Sequence, residues 1–219
     1  MTSNPAGARR PYSSPSREAS AAVTRQRIVD AAGRLFVDAG YVATSVRTIA
    51  QAAGVAEKTV YLQFETKPAI LKAVVDSAIV GPEPDVPASR SQWFLQVLAQ
   101  PKLDRKVELL AEGTSALHER TGPVFAVARE AASVDPGVAA LWSRGKRRHL
   151  ADMTLIAESF EAHGLIPRHL SIVWATELLY VLLGPENWHL FRRELGHDER
   201  HYRDWLRTTL NQALGQARP

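Results

Sequence analysis

Residues 54–71 read GVAEKTVYLQFETKPAIL, a helix breaker followed by a polar octet and a proline. Val60 and Phe64 lie four apart and so share one helical face. Around them stand Glu57, Lys58, Thr59, Tyr61 and Gln63. The spacing predicts a short helix over 56–64 with one buried stripe and little else to bury. Taken alone, such a helix is a solvated surface element. Its neighbours decide whether the exposed face has a use.

Upstream, Ile28, Ala31, Ala32, Leu35 and Phe36 follow the i, i+3, i+4, i+7, i+8 pattern, which predicts a helix over 24–39. Gly40 stands in the favoured place just past its end. Val46, Ile49, Ala50 and Ala53 repeat the pattern over a shorter helix, with Thr44 or Ser45 as its N-cap and Gly54 as its stop. Downstream, Thr66 caps a fourth helix running to about residue 80, and Pro68 falls in its first turn, where the missing N–H is harmless. Two short helices joined by a glycine turn behind a longer one match the helix-turn-helix unit. In that unit the second short helix enters the DNA major groove. The polarity of 56–64 is then its purpose.

The rest of the chain is helical in pattern. Residues 81–90 hold three prolines and form a linker, and later prolines divide the remainder into helices at 91–99, 103–120, 123–134, 137–163, 169–183, 186–195 and 199–215. No strand-like alternation and no internal repeat is found. Residues 1–22 are rich in Ser, Pro, Ala and Arg without a hydrophobic period, and are expected to be a disordered basic arm. The expected class is all-α. A DNA-binding domain is placed at 23–66, a connecting helix at 67–80 and a larger helical domain at 81–219.

Composition narrows the functions. Of 219 residues, 45% are apolar and 23% charged, ordinary for a globular protein. There is no cysteine, which excludes disulfides, thiolate catalysis and thiolate-held metals. The N-terminus lacks the apolar core of a secretory signal, and 172–183 is too short and too interrupted to cross a bilayer, so a cytoplasmic protein is expected. The net charge of +4 lies entirely in residues 1–80, with ten Arg/Lys against six Asp/Glu, while the remainder balances seventeen against seventeen. A basic first third suggests a polyanionic partner for that part alone. The histidines show no metal-ligand spacing, and no phosphate loop, nucleophile triad or apolar-flanked carboxylate pair is present. Neither an enzyme nor a metal or cofactor is expected.

The run at 24–71, with Gly40-Tyr41, Thr44, Ile49-Ala50, Ala53-Gly54-Val55, Thr59-Val60-Tyr61, Phe64 and Lys67, resembles the DNA-binding domain of the TetR family of transcriptional regulators. The resemblance implies a palindromic operator in double-stranded DNA as partner. It assigns Thr44 and Ser45, at the start of the second helix, to a phosphate, Arg47 in its first turn to the backbone or a base edge, Thr59 and Tyr61 to DNA, and Lys67 to a phosphate. The variable positions Glu57, Lys58, Leu62 and Gln63 fall where bases are read. Here the run departs from the commoner small or polar residue, lysine and small residue after Gly-Val, so the operator does not transfer from relatives.

The second part resembles the family's ligand-binding and dimerisation domain less specifically. The resemblance implies a partly hollow core for an unidentified small-molecule effector, with Phe125, Arg129, Trp142, His149, Met153, Trp174, Glu177 and Leu178 as candidate contacts. At helical spacing these residues also read as plain core or surface. It further implies a homodimer through the last long helices. Val173, Glu177, Val181, Tyr202, Trp205, Leu206 and Leu210 form stripes that exceed what one small core requires. The expected function is a repressor released by its ligand. The alternative is a helical small-molecule or lipid-binding protein that keeps a helix-turn-helix as scaffold.

Overall fold

In the computed structural model, residues 15–80 and 91–215 are described, and all regular structure among them is helical. The elements are α1 (Pro15–Ala43), α2 (Val46–Ala53), α3 (Glu57–Phe64), α4 (Lys67–Val80), α5 (Gln92–Ala99), α6 (Leu103–Ala131), α7 (Pro136–Ala162), α8 (Ile172–Leu182), α9 (Pro185–His189) and α10 (Glu199–Leu214). A wide helical turn, Leu190–Glu194, follows α9.

Two cores organise these helices. The head core joins α1 to α4 through Ile28, Phe36, Ile49, Val60, Phe64, Ile70 and Leu71. The body core joins α5 to α10 around Phe94, Leu110, Ile156, Phe160, Leu179 and Leu206. Burying each such side chain contributes about 1.5–3 kcal/mol. Helix α6 belongs to both cores: Val107, Leu110 and Ala111 lie in the body, and Val124, Val127, Ala128 and Ala131 in the head. Helix α7 likewise gives Val138 to the head and Met153, Ile156 and Phe160 to the body.

Several boundaries differ from expectation. Residues 15–22, assigned to the disordered arm, form the start of α1. Residues 1–14 of that arm and the linker 81–90 lie outside the described residues. Pro123 does not separate two helices, because α6 runs through it. Packing on both sides of the proline keeps α6 a single helix, overriding a local propensity against it. The predicted helix at 186–195 is five α-helical residues and the wide turn. Helix α8 begins at Ile172, where Ser171 caps it by accepting from the Trp174 N–H.

Candidate functional site

The local chemistry of the head fixes α3 in place. Ser45 caps α2, its hydroxyl accepting from the Thr48 N–H at 3.0 Å. Gly54 ends α2 at φ 64°, a left-handed conformation that favours glycine, and its N–H bonds back to the α2 carbonyls. Glu57 lies in the first turn of α3, where a negative charge suits the helix dipole.

On α3, Val60 and Phe64 are buried as expected. The opposite side exposes Lys58, Tyr61 and Leu62, with Glu57 beside them. Leu62 is 75% exposed, an apolar side chain standing in water with no internal role. Thr59 and Gln63 are half-buried at the edges of this face. Arg47 and Lys58 are exposed and pair with no carboxylate among the described residues.

One assignment is corrected. Thr44 is 2% exposed, and its hydroxyl bonds the carbonyls of Gly40 at 2.8 Å and Leu35 at 3.1 Å. It locks the α1–α2 turn from inside and does not face outward, so it is not a DNA contact.

Two arginines that sequence reasoning counted only as basic charge hold the unit together. The Arg25 guanidinium donates to the Gln63 carbonyl at 2.9 Å and lies 4.1 Å over the Phe64 ring. Arg27 donates to the Ala53 carbonyl at the end of α2. Both act on backbone carbonyls, which no side-chain spacing announces.

The head is tied to the body at one polar junction. Asp135 caps α7 by accepting from the Gly137 and Val138 N–H groups, and it also accepts from the Tyr41 hydroxyl at 2.7 Å. That hydroxyl bond holds the Asp135 carboxyl below its ordinary range. Burial, reinforced by Asp135, pushes the Tyr41 phenol up. The Lys67 ammonium rests 4.1 Å from the centre of the Tyr41 ring. Burial lowers its pKa while the nearby Asp135 charge opposes the shift.

The residues expected around an effector do not form one cluster. Phe125 and Trp142 meet edge to face at 6.2 Å where α6 and α7 cross into the head. Trp142 packs on the head core, whereas Met153 is buried in the body core with Leu178 against it. The His149 imidazole approaches the Tyr180 carbonyl at 3.2 Å and stands 4.9 Å from the Tyr180 ring, its basicity lowered chiefly by burial. Arg129, Trp174 and Glu177 are exposed.

Helix α6 also carries a buried polar row, Thr114, His118 and Thr121, at i, i+4 and i+7. His118 is 3% exposed and its Nδ1 lies 3.2 Å from the Tyr202 hydroxyl. Burial pushes the His118 pKa down to about 3. The row was a readable signal, since polar residues at helical spacing interrupt an apolar stripe.

The expected dimer set divides. Tyr202, Leu206 and Leu210 are each 0% exposed, facing the interior of the same chain with Trp205 partly buried beside them. They are therefore corrected from interface to core: the α10 stripe is used up by the α6 surface it covers. On α8, by contrast, Val173, Glu177 and Val181 point outward with Trp174.

Residues 28–74 match the family model for bacterial regulatory proteins of the tetR family. The chain is also 32% identical over 96 residues to YvkB of Bacillus subtilis (strain 168), an uncharacterized HTH-type transcriptional regulator. That match spans 44% of this chain and 44% of the relative's length. NalD of Pseudomonas aeruginosa, the secondary repressor of the MexAB-OprM multidrug efflux pump, superposes with a TM-score of 0.66 at 20% identity over 90% of this chain and 98% of its own. A Saccharomonospora viridis protein assigned to the transcriptional regulators, solved with choline, superposes with a TM-score of 0.69 at 16% identity over 90% of this chain and 100% of its own. No helix among the described residues is long and apolar enough to cross a membrane.

Proposed function

We propose that the chain, whose residues 28–74 match the family model for bacterial regulatory proteins of the tetR family, is a sequence-specific repressor of that family. In this reading it binds a palindromic operator as a homodimer and leaves it when a small molecule occupies the body. The observation that carries the reading is α3: a helix fixed by Val60, Phe64, Arg25 and the Gly54 turn, with Lys58, Tyr61 and Leu62 presented to solvent.

Roles follow from placement. Ser45 and Arg47 at the start of α2, Thr59 and Tyr61 on α3 and Lys67 at the start of α4 would hold phosphates, which set register without reading sequence. The Lys67 ammonium that would meet a phosphate also rests over the Tyr41 ring, which places it at the head–body junction. Glu57, Lys58, Leu62 and Gln63 would meet base edges, with Leu62 suited to a thymine methyl. A single recognition helix reads few base pairs, so two copies on half-sites about 34 Å apart supply the discrimination a genome requires. The outward face of α8 is the surface proposed to pair them. The neighbour solved with choline lends support to a small-molecule effector, and the efflux-pump repressor to a repressor role.

Selection of bound duplexes from a random pool, followed by titration across salt, tests the proposal. A symmetric selected motif and an affinity falling steeply with salt are expected. A salt-insensitive or sequence-indifferent interaction overturns it.

A further inference from the structure

One positively charged side chain of the body sits in surroundings built for a cation. The Lys146 ammonium of α7 lies 2.7 Å from a Glu186 carboxylate oxygen at the start of α9. The same nitrogen is 4.8 Å from the centre of the Tyr180 ring on α8 and 5.9 Å from that of Trp142, one turn earlier on α7. Phe125 of α6 braces Trp142 edge-on. Thus two aromatic rings and a carboxylate, from three helices, converge on one ammonium.

The fixed part of this cage and its occupant differ in kind. Trp142 packs on the head core, and Tyr180 packs on the body core with His149 against its ring and carbonyl. Glu186 stands at the rim, its side chain 43% exposed, and its carboxylate meets the Lys146 ammonium there. Burial is the chief cause that lowers the basicity of His149, against the Tyr180 carbonyl, which raises it. Lys146 alone is a long flexible side chain, 28% exposed, and Gly145 before it has open space beside its Cα. Without Lys146 the lining is aromatic and carries one negative charge.

We propose that this cage is an effector site for organic ammonium compounds, and that Lys146 fills it in the free protein as a built-in stand-in for the ligand. A substituted ammonium satisfies the same rings and the same carboxylate, and a dispersed charge loses less hydration on entering than a lysine ammonium does. Occupancy would be felt at the head: Trp142 is seven residues, about 10 Å along α7, from Asp135, which holds Tyr41. The inference rests on the proposed function only for that consequence. Ligand binding itself is independent of it.

The test uses the full chain and benzyltrimethylammonium chloride as probe at matched ionic strength, read by calorimetry and tryptophan fluorescence. Benzyl alcohol serves as the neutral comparison, and circular dichroism checks folding. Vacating the cage with Lys146→Met should tighten probe binding about tenfold over wild type without tightening benzyl alcohol; Lys146→Gln is the second vacating variant. Glu186→Gln or Trp142→Leu in either background should weaken the probe about 3- to 30-fold. No gain in either folded Lys146 variant, or an equal gain for benzyl alcohol, overturns the cage. The same preparations are titrated with the selected duplex. Duplex binding without probe binding overturns the cage alone, whereas probe binding without duplex binding retains the cage and overturns the regulatory reading.

Discussion

The head and the body invert the usual relation between burial and polarity in opposite ways. In the head, Leu62 and Tyr61 are exposed on α3 although each could have been buried, while the interior is almost wholly apolar. In the body, Lys106, Ser115, His118 and Thr121 are buried although each prefers water. Leu62, at 75% exposure with Tyr61 beside it, gives α3 an apolar spot that the fold itself does not cover. An interior that keeps a histidine and a lysine must satisfy or neutralise them. Ser115 donates to Glu199 at 2.6 Å, His118 meets the Tyr202 hydroxyl, and the Lys106 ammonium lies 3.2 Å from His163 Nδ1 and over the Phe160 ring. Burial lowers the Lys106 pKa to about 8, which moves it toward neutrality. The head leaves its irregularity exposed on α3, whereas the buried polar groups of the body are met by its own helices and its exposed apolar side chains lie on α8.

The strongest way to break this comparison is to treat α10 as surface. Leu206 is 0% exposed and packs in the body core, so Leu206→Asp places an unpaired carboxylate in an apolar interior. A loss of about 4 kcal/mol is expected, from the lost packing together with the buried charge. Urea unfolding of the variant checks it. A stable, folded Leu206→Asp chain would mean that α10 does not cover α6 in solution.

The next effect is a pH dependence located in the body. The His118 pKa is about 3 in the folded chain against an ordinary 6.5. Above 6.5 both states are neutral at this site and nothing is lost. As pH falls below 6.5 the unfolded chain takes up a proton that the buried imidazole refuses, and stability drops until the folded value is reached. At pH 5 the loss is about 2 kcal/mol, from a difference of about one bound proton acting over the 1.5 pH units below 6.5. Thermal unfolding from pH 7.5 to 5 should show this slope, and His118→Gln should flatten it. An unchanged slope in that variant places the proton uptake at another group.

How far each region could be read from its residues follows from the same contrast. In the head, Val60 and Phe64, Ile28 and Phe36, and the two glycines each serve one physical purpose, so spacing alone located α2 to α4, the buried stripe of α1 and the exposed face of α3, but not the first turns of α1 before residue 24. Thr44 was misplaced because a threonine before a helix reads equally as an outward cap and as an inward lock. Arg25 and Arg27 were missed because backbone carbonyls as partners leave no pattern. In the body one stripe serves two readings. Tyr202, Leu206 and Leu210 have the spacing of an interface, and whether α6 or a second copy covers them depends on topology. Pro123 misled for the opposite reason, since long-range packing in both cores outweighs a strong local signal.

A sharper test of the head concerns its turn. Gly54 holds φ 64°, and a Cβ there would stand 2.8 Å from an Arg27 guanidinium nitrogen. Gly54→Ala should cost about 1–2 kcal/mol in the left-handed region, with the arginine displaced from the Ala53 carbonyl. Duplex affinity should fall while the selected sequence stays the same, because the reading side chains are untouched. A changed motif would show that the turn takes part in reading and does more than place α3.

The smallest expected effect on the fold separates the two apolar faces of the body most cleanly. Val181 is 61% exposed on α8, in line with Val173 and Glu177 and beside Trp174. Its side chain contributes little to the interior, which Ala175, Leu179 and Leu182 supply from the other side of the helix. Val181→Asp should therefore leave the stability of a single chain within about 0.5 kcal/mol. If two copies pair across this face, each interface receives the change twice, once from each copy, and the carboxylates lose hydration against each other. Dissociation should then rise at least tenfold, which is about 1.4 kcal/mol of pairing free energy. Sedimentation equilibrium would show monomers that still melt cooperatively, and operator binding would weaken because the two half-sites are no longer held by one particle. A Val181→Asp protein that sediments as an intact dimer moves the interface off α8. Since α10 is already committed to α6, the pairing surface would then be sought among the other exposed apolar side chains of the body, Leu150 and Leu155 of α7 among them.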